Sequence, residues 1–393
     1  MTETGDESQR LQESGPDLHS LPSPALVLDR DRMDRNVARL SALIAGHGVT
    51  LRPHLKTAKS IDAARRIHPD GPGPITVSTL AEAEYFAREG GYTDITYAVG
   101  LDPAKAPRAV ALCDAGVDLK VTLETAAQAA ALGEAARGAP RKPAVMIEID
   151  CDGHRGGLTP DDPALVEVAR AVVSAGLTLA GVLTHAGASY DLNDPEALAQ
   201  AAKNERASAA SAAETLRASG FECPVVSVGS TPTAHFARDL TGVTEVRAGV
   251  FMFFDLVMHG IGVCAVDDIA VSVLTTVIGT KPAKGWILVD AGWMALSRDR
   301  GTSKQAIDQG YGLVCDLAGN ALGDLIVDQA NQEHGIVALR SGSSAALPDL
   351  PVGIRLRVLP NHACATGAQH DAYNVVAGSS EQIVAVWPRM RGW

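Results

Sequence analysis

Residues 144–150, AVMIEID, show the pattern that decides the fold, because seven similar apolar runs occur before and after them in the chain. A short apolar run without polar alternation is typical of a parallel strand that is buried on both faces. The seven other runs are VTLRPH (49–54), ITVST (75–79), ITYAV (95–99), LKVTL (119–123), AGVLTH (180–185), VVSVG (225–229) and TEVRAG (244–249). Ala-rich stretches of helical length lie between them. Eight such units in roughly 200 residues predict an α/β fold with a closed (β/α)8 barrel of the TIM type.

An open doubly wound sheet is the alternative, although no GxGxxG motif follows an early strand. The pattern changes after about Phe254, where long helical stretches become scarce and strand-like runs dominate. These runs are VSVLTTVIGT (271–280), GWILVDAG (285–292), IRLRVLPNH (354–362) and EQIVAVWP (381–388). We therefore expect a flexible polar leader over residues 1–20, a barrel over residues 21–260 and a C-terminal, mostly β domain over residues 261–393.

Composition excludes several classes of protein. The chain has 393 residues and a formal net charge of −12, and it contains no long Lys/Arg cluster of the kind that binds nucleic acid. No run of about 18 apolar residues predicts a membrane span. Six dilute cysteines exclude a disulfide-stapled scaffold, and the polar start lacks the apolar core of a signal peptide. We expect a cytoplasmic enzyme with reduced thiols.

Polar residues follow the predicted barrel strands at the ends where barrel enzymes place their chemistry. They are Arg52, His54 and Lys56 after strand one, Asp150, Asp152, His154 and Arg155 after strand five, His185 after strand six, Gly229, Ser230 and Thr231 after strand seven, and Arg247 and Gly249 in strand eight. A lysine inside such a cluster can form a Schiff base. The glycine-flanked segments VGST and RAGV lie where barrels often bind phosphate. A lysine facing a phosphate site suggests pyridoxal phosphate.

These residues also carry a resemblance that covers nearly the whole chain from about residue 22. RPHLKTAKS (52–60), with PALVLD (24–29) before it and VSTLAEAEYFAREGG (77–91) after it, resembles the start of the alanine-racemase-like, fold-type III pyridoxal phosphate enzymes. The nearer match is the D-threonine aldolase and D-serine dehydratase branch. The further motifs, in order, are GHRGG (153–157), THAG (184–187), VGSTPT (228–233), TEVRAG (244–249), QEHG (332–335) and LPNHACAT (359–366).

The resemblance implies a role for each cofactor-facing residue. Lys56 resembles the lysine that holds the cofactor and removes the Cα proton of the substrate. Arg155 resembles the arginine at the cofactor's phenolate oxygen, although an ion pair with a nearby aspartate would also explain it. His185 resembles the imidazole beside the pyridine ring, or is a core histidine. Arg247 resembles the arginine that faces the pyridine nitrogen.

The resemblance also implies the residues that bind the phosphate, mainly through backbone N–H groups. They are Gly229, Ser230, Thr231, Gly249 and Val250, and Tyr373 is a further candidate. It implies a homodimer as well, in which the β domain of one chain covers the barrel of its partner.

His362 and Cys364 are two residues apart, so on an extended chain both side chains point to one side and can bind one metal ion. A buried cysteine is more often a small apolar residue, but the family holds a divalent metal at this HxC or HxD position. A thiolate favours Zn²⁺, whereas an aspartate would favour Mn²⁺ or Mg²⁺. We therefore expect zinc, with free coordination positions for water and for the β-hydroxyl of a substrate.

The leading hypothesis is a lyase that dehydrates a D-configured β-hydroxy amino acid, of the D-serine or D-threo-3-hydroxyaspartate type. D-threonine aldolase activity is the alternative, with His54 or a metal-bound water as the base for the hydroxyl proton. Many family members have a second histidine where this chain has Ala58. A racemase is an alternative of another class. It would need a second base on the opposite face of the cofactor, usually a tyrosine from the partner subunit, for which Tyr311 is the main candidate, and it would leave the HxC pair without a role. A cofactor-binding protein without activity is a further alternative.

The side chain of the substrate has no clear signature in the sequence. Five residues could lie near the site or in an ordinary solvated loop: Arg298, Asp299, Gln332, Glu333 and His334.

Overall fold

The structure, a computed structural model, describes residues 16–393. In chain order its strands are β1 (Ala25–Asp29), β2 (Thr50–Pro53), β3 (Ile75–Val77), β4 (Asp94–Gly100), β5 (Asp118–Leu123), β6 (Ala144–Ile149), β7 (Leu179–Thr184), β8 (Val225–Val228), β9 (Glu245–Ala248), β10 (Val271–Lys281), β11 (Trp286–Val289), β12 (Leu313–Cys315), β13 (Ala321–Ala330), β14 (Gly335–Leu339), β15 (Arg355–Leu359), β16 (Ala372–Val376) and β17 (Ala385–Pro388).

Its α-helices are α1 (Arg30–Gly46), α2 (Ile61–Ile67), α3 (Leu80–Gly90), α4 (Ala106–Asp114), α5 (Ala126–Ala135), α6 (Ala164–Ser174), α7 (Pro195–Ala218), α8 (Thr231–Phe236), α9 (Leu256–Gly260), α10 (Trp293–Leu296) and α11 (Ala363–Gly367). None of the helices in residues 16–393 is long and apolar enough to cross a membrane.

The strands β2 to β9 form one parallel sheet that nearly closes into a barrel. β2 pairs with β9, and the order then runs from β9 back to β3. The remaining gap, between β2 and β3, is bridged by a single parallel pairing of His54 with Thr76. The predicted (β/α)8 barrel is confirmed, and all eight predicted strands are present. Helices cover the outer face, and several begin at a side-chain cap, as α5 does at a capping box of Thr125 and Gln128.

The remaining strands form a nine-stranded sheet in the order β11-β14-β13-β12-β15-β10-β1-β16-β17, which confirms the predicted β domain. β1 belongs to this sheet, where it pairs with β10 and β16, so the predicted barrel boundary at residue 21 is wrong. All five residues of β1 are buried in this position. From β1 in the β domain the chain therefore enters the barrel through α1 and returns after β9.

The predicted leader is partly outside the described residues, since those begin at residue 16. Contrary to the prediction, its last part packs against the β domain. Leu18 is fully buried, and its N–H donates to the carbonyl of Glu381. Asp17 forms a β-bridge with Gln382.

Candidate active site

A cavity of about 410 Å³ lies at the carboxyl ends of the barrel strands, where residues of the β domain cover it. It brings together the predicted site residues His54, Lys56, Arg155, His185, Gly229, Ser230, Thr231, Arg247, Gly249, Val250, His362 and Cys364. The cavity is also lined by Tyr190 and Asp255, which the sequence analysis did not consider, and by Asp299, which it left as a possible neighbour of the site.

Lys56 lies in a tight turn after β2 that points its amine into this cavity. The turn is held by hydrogen bonds from the His54 N–H to the Ala248 carbonyl (2.7 Å) and from the Leu55 N–H to the Thr76 carbonyl (2.9 Å). Lys56 is exposed to the cavity, and its amine makes no hydrogen bond with any group in residues 16–393. The amine is therefore free to react.

Arg247 lies beneath the cavity, buried in the barrel interior. Its guanidinium donates to the Ser227 hydroxyl and to the Thr184 carbonyl, both at 2.6 Å. The Ser227 hydroxyl in turn donates to Glu245 at 2.7 Å. Burial lowers the pKa of Arg247. Arg52, by contrast, does not line the cavity, because it donates to Glu245 and Asp94 inside the barrel.

His185 and His54 are both held in the neutral form. The Nδ1 of His185 donates to the Gly229 carbonyl at 3.0 Å, and burial lowers the pKa of His185 to about 4. Burial, together with the charges of Lys56 and Arg247, lowers the pKa of His54 far below its usual value. The Nε2 of His54 lies 3.3 Å from the Ser78 hydroxyl, whereas its Nδ1 is buried and has no partner within residues 16–393.

The residues predicted to bind phosphate through N–H groups line the cavity, but not all of those groups are free to do so. The N–H of Gly229 already donates to Glu205 (3.1 Å), and that of Ser230 donates to the Thr233 hydroxyl (3.0 Å). The N–H groups of Thr231, Gly249 and Val250 have no acceptor within the described chain. The Thr231 hydroxyl is also buried without a partner there. These four donors fit a bound phosphate.

Tyr373 does not line the cavity, so the prediction that it reaches the phosphate is wrong. Its hydroxyl donates to the Ala58 carbonyl at 2.9 Å and accepts from Arg389 at 2.8 Å. Tyr190 lines the cavity instead, and burial raises its pKa. A tyrosine five residues after His185, in THAGASY, is the signal that the sequence analysis missed.

Arg155 lines the rim of the cavity and remains largely exposed. It pairs with Glu148 at 3.2 Å, not with Asp150 or Asp152 as the alternative interpretation proposed. Asp150 accepts hydrogen bonds from the N–H groups of Asp152 and Gly153 and so shapes the turn that presents Arg155. The Arg155 side chain remains 60% exposed although Glu148 is only 14% exposed, so the guanidinium is open to the cavity rim, where it can contact a cofactor.

His362 and Cys364 face the cavity from the start of α11. The Nδ1 of His362 donates to Asp299 at 2.7 Å, an orientation that leaves Nε2 for a metal ion. Although burial alone would raise the pKa of the Cys364 thiol, the neighbouring His362, Lys56 and Thr57 lower it and favour the thiolate. No group of three or more His, Cys, Asp or Glu side chains within residues 16–393 converges as a metal site. His362 and Cys364 are two side chains here whose donor atoms suit a metal ion.

The loop residues named as neighbours of the site separate into two groups. Asp299 lines the cavity and orients His362, as described. Arg298 packs over the Trp293 ring at 4.6 Å. Gln332, Glu333 and His334 are exposed and lie outside the cavity.

A parallel barrel that presents a free lysine, a neutral imidazole, a buried arginine and open phosphate donors at one mouth defines a pyridoxal phosphate enzyme of the alanine-racemase-like class. Residues 28–257 match the family model "Alanine racemase, N-terminal domain", and residues 270–376 match "Putative serine dehydratase domain". The chain belongs to this family, in the branch of D-serine dehydratases and D-threonine aldolases, and it is a pyridoxal phosphate-dependent lyase.

Similar proteins cover more than nine-tenths of the chain. It is 52% identical to the D-threo-3-hydroxyaspartate dehydratase of Delftia sp. (strain HT23), over 96% of this chain and 99% of that protein. The solved structure of that enzyme superposes with a TM-score of 0.92, over 96% of this chain and all of the other. The chain is 27% identical to a D-serine dehydratase of Dictyostelium discoideum (98% and 100% covered) and 28% identical to a D-threonine aldolase of Arthrobacter sp (92% and 91% covered).

Proposed function

We propose that this protein is a pyridoxal phosphate- and zinc-dependent dehydratase of D-configured β-hydroxy amino acids, of the D-threo-3-hydroxyaspartate or D-serine type. The observation that carries the proposal is that the Lys56 amine and the His362–Cys364 pair face one cavity. The similarity to the Delftia dehydratase supports the reaction and the substrate class.

The residues around the cavity fit the cofactor. Lys56 would hold it through its amine, and Thr231, Gly249 and Val250 would donate to its phosphate. Arg247 would face its ring nitrogen. Arg155 would face its phenolate oxygen, and His185 would lie against one face of its ring. When bound, pyridoxal phosphate withdraws electrons from the substrate's Cα and so acidifies the Cα proton.

Lys56 is the group that moves this proton. Its amine has no competing hydrogen bond within the described residues and lies among neutral imidazoles, so it can act as a base once released from the cofactor. Since arginine keeps its proton, Arg247 positions the ring and transfers no proton itself. Loss of the Cα proton and of the β-hydroxyl gives ammonia and a 2-oxo acid after hydrolysis.

The metal would be held by the Nε2 of His362 and the thiolate of Cys364. The thiolate favours zinc over manganese or magnesium, which prefer oxygen ligands. A Lewis acid at this place would assist departure of the β-hydroxyl. One solved structure of a mutant D-threo-3-hydroxyaspartate dehydratase, 52% identical to this chain, is a metal-free form, which fits a protein that can also hold a metal.

D-threonine aldolase activity is the second candidate, and one observation favours it. The Nδ1 of neutral His54 is buried and has no partner within residues 16–393, so it could accept the hydroxyl proton in a retro-aldol cleavage. Against it, Ala58 is fully buried under the lysine turn, so no second imidazole lies at that position. Racemization is less well supported, because the His362–Cys364 pair faces the cavity and would have no role in that reaction.

One assay separates these reactions. The purified enzyme, loaded with pyridoxal phosphate and zinc, is incubated with D-threo-3-hydroxyaspartate, D-serine and D-threonine, and with the L-enantiomers as controls. We expect ammonia and a 2-oxo acid from the first two D-substrates. Glycine and an aldehyde without ammonia would refute the dehydratase proposal in favour of the aldolase. Inversion at Cα without any cleavage would favour a racemase.

We also propose that the enzyme is a cytoplasmic homodimer. All six cysteines are free in the structure, which fits a reducing compartment. The family resemblance supports the dimer. Light scattering of the purified protein tests the dimer, and a monomeric mass at micromolar concentration would refute it.

A further inference from the structure

Arg389, which directly follows β17, joins the turn that carries Lys56 to the helix that carries Cys364. Its side chain is buried, with 7% of the residue exposed. Within the described residues it pairs with no carboxylate, and its side chain donates only to backbone carbonyls and one hydroxyl. Those acceptors are the carbonyls of Thr57, Ala58, Gly367 and His370 and the hydroxyl of Tyr373.

On the lysine side, the C-terminal segment binds three consecutive carbonyls after Lys56. Arg389 donates to Thr57 at 3.4 Å and to Ala58 at 3.2 Å, and the Met390 N–H donates to Lys59 at 2.7 Å. Lys59 has a φ of +46°, a left-handed conformation that is costly for a lysine. Such a conformation persists only when its surroundings hold it, so the C-terminal segment maintains the shape of the lysine turn.

On the metal side, Arg389 binds the end of the helix that carries Cys364. Its Nη1 donates to the carbonyls of Gly367 and His370, the latter at 3.1 Å. A Cβ at Gly367 would lie 3.1 Å from its Nη2, so the guanidinium packs directly on this helix end. One planar group therefore contacts both of the elements that carry the proposed catalytic groups.

Burying a guanidinium without a carboxylate costs free energy, which here is offset by carbonyl acceptors on both sides. Simple packing could be supplied by an apolar residue. We propose that Arg389 is a positioning residue that holds the Lys56 amine and the His362–Cys364 pair in a fixed relative position. This inference rests on the proposed function, because it requires the Lys56 amine and the His362–Cys364 pair to act on the same substrate.

The test is Arg389→Lys in the enzyme loaded with pyridoxal phosphate and zinc. Lysine keeps the charge but lacks the planar fork, so it cannot reach both elements at once. We expect kcat to fall at least about tenfold while KM stays within about threefold. We also expect zinc to bind about tenfold more weakly in competition with a chelator, measured without substrate.

Arg357→Lys is the matched control. Arg357 lies in β15 of the same sheet, is 1% exposed and donates to the Ser272 hydroxyl and the Leu317 carbonyl, away from the cavity. We expect this variant to lower the unfolding temperature but to keep kcat and zinc affinity within about twofold of wild type.

If the Arg389→Lys variant keeps the kcat and the zinc affinity of the wild type, the inference is overturned. It is also overturned if Arg357→Lys loses as much kcat and zinc affinity as Arg389→Lys does. If Arg389→Lys does not fold, Tyr373→Phe replaces it, because the lost hydroxyl contacts both Arg389 and the Ala58 carbonyl. A smaller loss of zinc affinity is then expected, and an unchanged affinity overturns the inference. Wild-type enzyme that binds zinc but forms no product would refute the proposed function, whereas the zinc affinities would still decide the role of Arg389.

Discussion

The hydroxyl of Thr57 lies 3.2 Å from the thiol of Cys364. The residue next to the cofactor lysine thus contacts a proposed metal ligand that is more than 300 positions away in the chain. The contact joins the barrel to the β domain at the cavity. Under the proposed function, it places the lysine that would hold the cofactor and a residue that would hold the metal beside each other, although they belong to different domains.

Replacement of Lys56 by alanine should abolish activity, because no other amine lines the cavity within the described residues. We expect at least a thousandfold loss of turnover. Borohydride reduction followed by mass spectrometry should find pyridoxal phosphate on Lys56 in the wild type and no adduct in the variant. Lys284→Ala, at a surface turn against Trp286, should retain both activity and adduct. A trapped adduct at another lysine would contradict the assignment.

Replacement of Asp299 by asparagine should weaken metal binding without removing a metal ligand. The carboxylate accepts from the Nδ1 of His362 and so fixes the orientation of the ring. Loss of such a partner typically costs 10- to 100-fold in metal affinity, about 1.4–2.7 kcal/mol. Zinc competition with a chelator measures the effect. Asp324→Asn, in an ion pair with Arg340, serves as the control, and equal affinities in the two variants would argue against the role of Asp299.

Gly229→Ala should destabilise the fold and weaken cofactor binding. A Cβ at this position would lie 2.0 Å from the Arg247 carbonyl, and the φ of +139° is strained for alanine. We expect a loss of about 2–4 kcal/mol in the free energy of unfolding. Urea unfolding of the cofactor-free protein measures it. Gly46→Ala, where a Cβ meets nothing within 4 Å and φ is ordinary, should be neutral or slightly stabilising.

The half-buried, neutral His185 predicts a loss of stability in acid. Its pKa is about 4 in the folded protein, below the ordinary 6.5, so the unfolded chain binds the proton first as the pH falls. The contribution of His185 is fully present above pH 6.5 and is lost as the pH falls towards 4, by up to about 1.4 kcal/mol per pH unit. His185→Asn should reduce this slope in cofactor-free protein, whereas the exposed His334→Asn should not. An unchanged slope in His185→Asn would show that this imidazole is not held neutral.

Most of the site could be predicted from the sequence, because barrel geometry assembles residues that follow successive strands. Lys56, His185 and Arg247 lie at the cavity because their strands end there. Tyr373 could not be placed in this way, since its strand belongs to the other sheet and its hydroxyl is used by Arg389 and Ala58. Asp299 could not be placed either, because its loop has no periodicity. Only its contact with His362 in the folded chain indicates its role.

The sequence by itself determined the eight barrel strands, the lysine turn and the HxC pair, because strand periodicity and short motifs are local properties. Only the tertiary structure decided that β1 belongs to the β domain, since strand pairing depends on residues far away in the chain. It also decided which N–H groups remain free for a phosphate. Glu205 and Thr233 occupy two of the predicted donors, and hydrogen-bond competition of this kind is settled only when the chain is folded.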